Sequence, residues 1–230
     1  MIDYKMEAAR AAMKLIEPNQ TIGVGAGSTI ANLVGLVAAE CEFSHTLTFV
    51  SSSFKTSALI VASGLGLQSM AVIQKLDIYF DGCDQFDIGL NSLKSGGGIH
   101  TTEKILASAA DQFILIGDEA KFSEKLDASY ALVIEVIPAA LNTVNLKLSE
   151  KFPDAAFSLR MSSEKDGAVI SEYGNYLIDI HFRQLIDLAD LNDIIIRVPG
   201  IVEHSLFYKM AHKALIAGKD GIRVLLPRYV

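Results

Sequence analysis

The chain is short of cysteine, short of positive charge and without long apolar runs, and each shortage removes a class of protein. Its two cysteines, Cys41 and Cys83, are too few for a disulfide framework and have no CxxC or Cys/His metal spacing. The five histidines, at 45, 100, 181, 204 and 212, form no HxxxH or HxH pair, so no metal is expected. Twenty Lys and Arg against 27 Asp and Glu leave a net charge of −7, without the basic stripe of a nucleic-acid binder. No apolar run approaches the roughly 18 residues of a membrane helix, and no signal-peptide h-region is visible at the N-terminus. These shortages lead to the expectation of a soluble, cytoplasmic protein with neither nucleic acid nor membrane as a partner.

The 230 residues are half hydrophobic and one-fifth charged, which describes a globular chain able to bury a substantial core. The first half alternates helical and strand patterns. "MEAARAAMKLI" (6–16) is helical, "TIGVGAG" (21–27) is a strand running into glycines, and "STIANLVGLVAAE" (28–40) is again helical. The scheme repeats through "LTFVSSS" (47–53), a helix over "KTSALIVASG", the strand "LDIYF" (76–80), a helix near 101–111 and the strand "QFILIGD" (112–118). In "LDIYF", Leu76, Ile78 and Phe80 share one face and Asp77 and Tyr79 the other. Strands alternating with helices predict βαβ units in a doubly wound, mostly parallel, Rossmann-like sheet.

After about Lys125 the pattern changes. A strand "ALVIEVIP" (131–138) precedes the helix "AALNTVNLKLSEKF". Three short strands, "AAFSLRMSS", "GAVISEY" and "YLIDIHF", precede a helix near 184–196, and the last two strands face each other across the turn "YGN". The order β-α-β-β-β-α predicts a smaller inserted α+β domain over 128–202. Residues 1–127 and 203–230 form the larger one, with "GIVEHSLF" among its closing segments.

Four loops carry chemistry. "GVGAGST" (23–29) joins a strand to a helix, where glycines admit a ligand to the backbone and free amides favour a phosphate. A plain βα turn with Ser28 as N-cap is the alternative. "DGCDQ" sets Asp81 and Asp84 just past a strand's carboxyl end, where ligands of open α/β sheets bind. They are read either as an acid/base pair or as turn caps. Asp77, inside the strand, is read as structural, and Cys83 as a packing residue. "LKSGGGIHTTEK" (93–104) brings a triple glycine beside Lys94 and ends in Glu103 at a helix start. Glu103 is read as a general base or as a complement to the helix dipole, and His100 as a loop residue. Lys121 in "GDEAK" is a candidate phosphate partner or a solvated lysine.

In this order and at these separations, "GVGAGST", "SSS", "DGCDQ", "LKSGGG", "TEK" and "GDEAK" resemble the type A ribose-5-phosphate isomerase family. The likeness continues through "IEVIP", "GNYLIDIHF", "VPGIVEHSLF" and "ALIAGKDGIRVL". It implies an enzyme without cofactor that interconverts ribose 5-phosphate and ribulose 5-phosphate in the non-oxidative pentose phosphate pathway. It also implies a Rossmann-like domain with a smaller ferredoxin-like one, and a homodimer or homotetramer. It assigns Glu103 as the base between C1 and C2, and Asp81, Asp84 and Lys94 to ring opening and the enediol(ate) oxygens. Ala26, Gly27, Ser28, Thr29, Lys121 and Lys5 are assigned to binding substrate, chiefly its phosphate, with Gly82, Cys83, Ser95, Gly96 and Gly97 lining it. Three positions depart from the family pattern: Ala26 stands for Thr, Gln85 for Glu and Ser95 for Gly. The alternatives are a paralogue acting on another aldose phosphate, a sugar-phosphate binder without catalysis, and a coenzyme A transferase-like protein using its glutamate.

Overall fold

A computed structural model describes residues 3–228. The larger part contains α1 (Tyr4–Met13), β1 (Thr21–Val24), α2 (Ser28–Glu40), β2 (Thr48–Ser51), α3 (Phe54–Ala62), β3 (Gly66–Leu67) and β4 (Leu76–Asp81). Two short strands, β5 (Gln85–Phe86) and β6 (Ser92–Leu93), lead to α4 (His100–Ala109) and β7 (Ala110–Asp118). The smaller part follows as β8 (Leu132–Val136), α5 (Leu141–Lys151), β9 (Ala156–Leu159), β10 (Tyr176–His181), α6 (Leu188–Ile196) and β11 (Ile201–His204). The chain closes with β12 (Leu206–Phe207), β13 (Lys213–Gly218) and β14 (Gly221–Leu225).

The main sheet has seven strands in the order β14-β13-β7-β4-β1-β2-β3. Every neighbouring pair is parallel except β13 with β14. Parallel strands need crossover helices, which cover both faces, so a central strand becomes apolar on both. β4 shows this: Ile78 and Phe80 pack into the core beneath α1 and α2, while Tyr79 is buried on the opposite face with Phe113, Leu106 and Phe207. Leu76, expected beside Ile78 and Phe80, packs with the Tyr79 cluster instead. Asp77 is structural as read, because its carboxylate accepts the Thr21 backbone N–H at 2.7 Å and ties the starts of β1 and β4 together.

The smaller sheet is antiparallel, in the order β11-β8-β10-β9. Its strands and helices follow the β-α-β-β-α-β sequence of a ferredoxin-like unit. Val144 and Leu148 of α5 and Leu191 and Ile195 of α6 bury one face of it. Two expectations are corrected here. "GAVISEY" makes only isolated bridges, Met161 with Ala168 and Ile170 with Tyr176; its Val169 N–H donates to the Arg160 carbonyl, while its Ser171 N–H donates to the Asn175 carbonyl around the turn at Gly174. "GIVEHSLF" does not wholly close the large domain: Ile201, Glu203 and His204 pair with β8, so Glu203 and His204 belong to the small sheet. The outermost residues of the expected domain ranges, 1–2 and 229–230, lie outside the described residues.

A third sheet, β12-β6-β5, stands between the two parts. It sets the exit of β6, where the Lys94 backbone N–H donates to the Ser205 carbonyl at 3.0 Å. Among the described residues no helix is long and apolar enough to cross a membrane.

Candidate active site

The site forms where β1 and β4 end, as expected for an open α/β sheet. Asp81, the last residue of β4, is 1% exposed. Lys94 enters from the end of β6 and Glu103 from the first turn of α4, and both are also buried. The Lys94 ammonium lies 2.8 Å from Asp81 Oδ2 and 3.2 Å from Glu103 Oε1, and donates to the Gly82 carbonyl. One cation therefore serves two carboxylates away from water. Burial works against the Lys94 charge, but Asp81 and Glu103 outweigh it and hold its pKa above the usual lysine value. Burial pushes the Glu103 carboxyl up to about 8, with Lys94 pulling it down and Asp81 pushing it up. A carboxyl so placed is a strong base when ionised and an acid when not.

Asp84 faces a different task. Its Oδ2 accepts the backbone N–H groups of Ser95 at 2.6 Å and Gly96 at 3.0 Å. The sequence left open what the glycine loop's amides approach; two of them approach Asp84. The carbonyls of Ser95 and Gly96 accept from the Arg160 guanidinium at 2.8 and 3.2 Å, and Arg160 is itself paired with Asp179 of β10. Gly98, at φ +68°, leaves room for Leu177, which a Cβ there would meet at 2.6 Å. The loop is thus held by both parts of the molecule.

The phosphate-binding expectation rests on the start of α2. Gly27, at φ 95°, is the N-cap and supplies no side-chain bond, so Ser28 is the first helical residue and not the cap. Amides at this helix start are left without a side-chain acceptor, and Ser28 is exposed while Thr29 is buried. Such an end attracts an anion. Lys121, in the short 3₁₀ turn after β7, donates to the Cys83 carbonyl. Burial drives the Cys83 thiol up to about 12, so it stays a neutral packing group. Lys5 is exposed in the first turn of α1, and the Asp3 side chain accepts its backbone N–H.

His100 is corrected from a loop residue to the first residue of α4, fully buried. Burial takes it down to about 4, so it is neutral. Sequence reasoning passed over Tyr79, Arg160 and Phe207. The Tyr79 hydroxyl donates to Asp81 Oδ2 at 2.5 Å. Phe207 presents its ring to both Lys94 and Lys104, whose ammonium groups are 5.6 and 5.3 Å from its centroid. Only Tyr79 carried a signal, since residues two apart in a strand share a face with Asp81.

Residues 48–221 match the family model of ribose 5-phosphate isomerase A (phosphoriboisomerase A). The chain belongs to that family. A ribose-5-phosphate isomerase A from Thermosynechococcus vestitus is 34% identical over 92% of this chain and 90% of its own. The solved ribose 5-phosphate isomerase A of Methanocaldococcus jannaschii superposes with a TM-score of 0.89 at 33% identity, covering 97% of this chain and 98% of that one. A D-ribose-5-phosphate isomerase solved in complex with phospho-erythronic acid reaches 0.89 at 30% identity over 97% of each chain.

The three departures from the ribose 5-phosphate isomerase A pattern each have a place in the structure. Ser95 donates its hydroxyl to the Ala131 carbonyl, and Gln85 Oε1 accepts the Asp127 backbone N–H at 3.1 Å. Both are anchors between loops. Ala26 offers its backbone N–H to Asp81 Oδ1 at 3.3 Å and has no hydroxyl to offer a ligand.

Proposed function

We propose that this protein interconverts ribose 5-phosphate and ribulose 5-phosphate through an enediol(ate), with Glu103 carrying the proton between C2 and C1. The observation that carries the reading is the buried Glu103 carboxylate 3.2 Å from the Lys94 ammonium. Aldose–ketose exchange needs one base that spans two adjacent carbons and a positive group for the oxygen that becomes negative. Glu103 and Lys94 are those two groups. A base titrating at about 8 is strong enough to take a carbon-bound proton and still ionised often enough to act. Asp84 fixes the Ser95 and Gly96 peptides beside them, and the start of α2 with Lys121 anchors the phosphate, which supplies orientation. The Gly82, Cys83 and Gly97 backbones line the sugar between these points.

The isomerase relatives support this substrate, and a four-carbon phosphorylated acid bound to one of them has the size and charge of the reacting end plus phosphate. We place the enzyme in the non-oxidative pentose phosphate pathway and in the cytoplasm, as a homodimer or homotetramer. The test is Glu103→Gln assayed on ribose 5-phosphate, with solvent deuterium followed into the substrate carbon. Loss of about 10²–10⁴-fold in kcat, with exchange lost alongside, is expected. Isomerisation and exchange at wild-type rates would show that another group is the base.

A further inference from the structure

Asp81 has no acceptor position left for a substrate. A carboxylate has about four lone-pair positions. Oδ1 accepts the backbone N–H groups of Gly82 at 2.8 Å and Ala26 at 3.3 Å. Oδ2 accepts the Tyr79 hydroxyl at 2.5 Å and the Lys94 ammonium at 2.8 Å. The side of Oδ1 is also closed sterically, because a methyl group at Gly25 would stand 1.9 Å from it. A group so filled and so buried holds its charge and its place rather than exchanging protons.

Tyr79 is the one side-chain hydroxyl among these donors. Its ring is wholly buried and packs on Phe113 with centroids 5.1 Å apart, so the hydroxyl is aimed by packing. Burial, with Asp81 and Glu103 nearby, keeps it protonated and therefore a donor. The buried Ser52 hydroxyl, which has no hydrogen-bond partner among the described residues, stands beside the Tyr79 hydroxyl.

We propose that Tyr79 is a positioning residue: it completes the shell of Asp81, so that Asp81 serves as a fixed anion aiming Lys94 and does not itself move a proton of the sugar. This differs from the ring-opening role that family resemblance implies for Asp81, and it rests on Glu103 being the base. Tyr79 acts through Asp81, whose Oδ2 accepts both its hydroxyl and the Lys94 ammonium, and Lys94 in turn faces Glu103.

The experiment uses Tyr79→Phe and Asp81→Asn in the full chain. Tyr79→Phe keeps the ring contact and removes one hydrogen bond to a buried charge, so kcat should fall about 10- to 100-fold with KM within about twofold. With one donor fewer, the Asp81 charge is less shielded and pushes the neighbouring Glu103 carboxyl further up, so the acid limb of kcat/KM should move to higher pH. Asp81→Asn is tested on ribulose 5-phosphate, whose phosphorylated O5 prevents furanose closure at C2, so no ring has to open. Loss of solvent-deuterium exchange from this open-chain ketose is expected, because Lys94 is no longer aimed. Retained exchange, with turnover of ribose 5-phosphate lost, would make Asp81 a ring-opening group and overturn the proposal. Wild-type kcat in Tyr79→Phe, or a lower kcat tracking a lower melting temperature with an unmoved acid limb, would overturn it too. Wild-type exchange in Glu103→Gln would instead remove Glu103 as the base, and this inference with it.

Discussion

Replacing Glu103 by glutamine should make the protein more stable at alkaline pH while stopping the reaction. A free glutamate titrates near 4.5 and Glu103 at about 8, so the folded state holds an extra proton between those values. The sign follows: the stability contributed by the protonated carboxyl is fully present below about 4.5 and is lost as pH rises through about 8. At roughly 1.4 kcal/mol per pH unit, the ionised carboxylate burdens the fold by a few kcal/mol above that range. Glutamine carries no charge at any pH and escapes this. Two effects oppose the gain. A negative charge in the first turn of α4 is worth only about 0.3–1 kcal/mol. Lys94 loses one carboxylate but keeps Asp81 at 2.8 Å. Desolvation wins, and the expected net gain over wild type, comparing about pH 9 with about pH 5, is on the order of 1–3 kcal/mol. For a chain of this size that is a melting-temperature difference of roughly 2–10 °C. Thermal unfolding of both proteins across that pH range measures it. A difference that stays constant with pH would mean that Glu103 is not forced toward neutrality by burial, and the argument for its strength as a base would fall.

The other predictions concern the binding loops. Ser28→Ala should raise KM and leave kcat nearly unchanged, since a phosphate contact equal in ground and transition states is uniform binding; Ala26→Thr should lower KM by restoring a hydroxyl. Steady-state kinetics with KM unmoved in both variants would take the start of α2 out of the site. Asp84→Asn should lower kcat strongly with the fold intact, because the Ser95 and Gly96 amides lose a charged acceptor. Near-normal kcat in that variant would leave Asp84 as a turn cap alone.

The large domain was legible because its signals are local. Apolar strand runs ending at Gly25 and Gly82 announce βα crossovers without knowledge of what packs above them. The small domain was read less well. "GAVISEY" alternates like a strand, but pairing depends on a neighbour, and the ladder position beside β10 is already taken by β9. β11 was misplaced for a related reason: its residues are apolar enough for either sheet, and only its long-range register with β8 decides. Within the site, residue types and strand ends exposed Asp81, Lys94 and Glu103 as candidates. What each carboxylate touches was not legible, because the donors to Asp81 come from positions 26, 79, 82 and 94, and those to Asp84 from 95 and 96. Tyr79 looked like an ordinary strand aromatic, and Arg160 lies 65 residues from the Ser95 carbonyl it reaches.

That reach ties catalysis to the integrity of the small sheet. The Ser95 and Gly96 peptides are gripped on their N–H side by Asp84 and on their C=O side by Arg160. The peptide unit that joins them, with its Ser95 carbonyl on Arg160 and its Gly96 N–H on Asp84, cannot flip without breaking both bonds. Partial opening of the edge strand β9, which Arg160 directly follows, a sub-global event well below the free energy of complete unfolding, would release Arg160 and slacken the loop that carries Lys94. Inactivation by heat or mild denaturant would then precede the loss of the main sheet, and amide exchange at 95 and 96 would report the stability of the small domain rather than that of the fold around them.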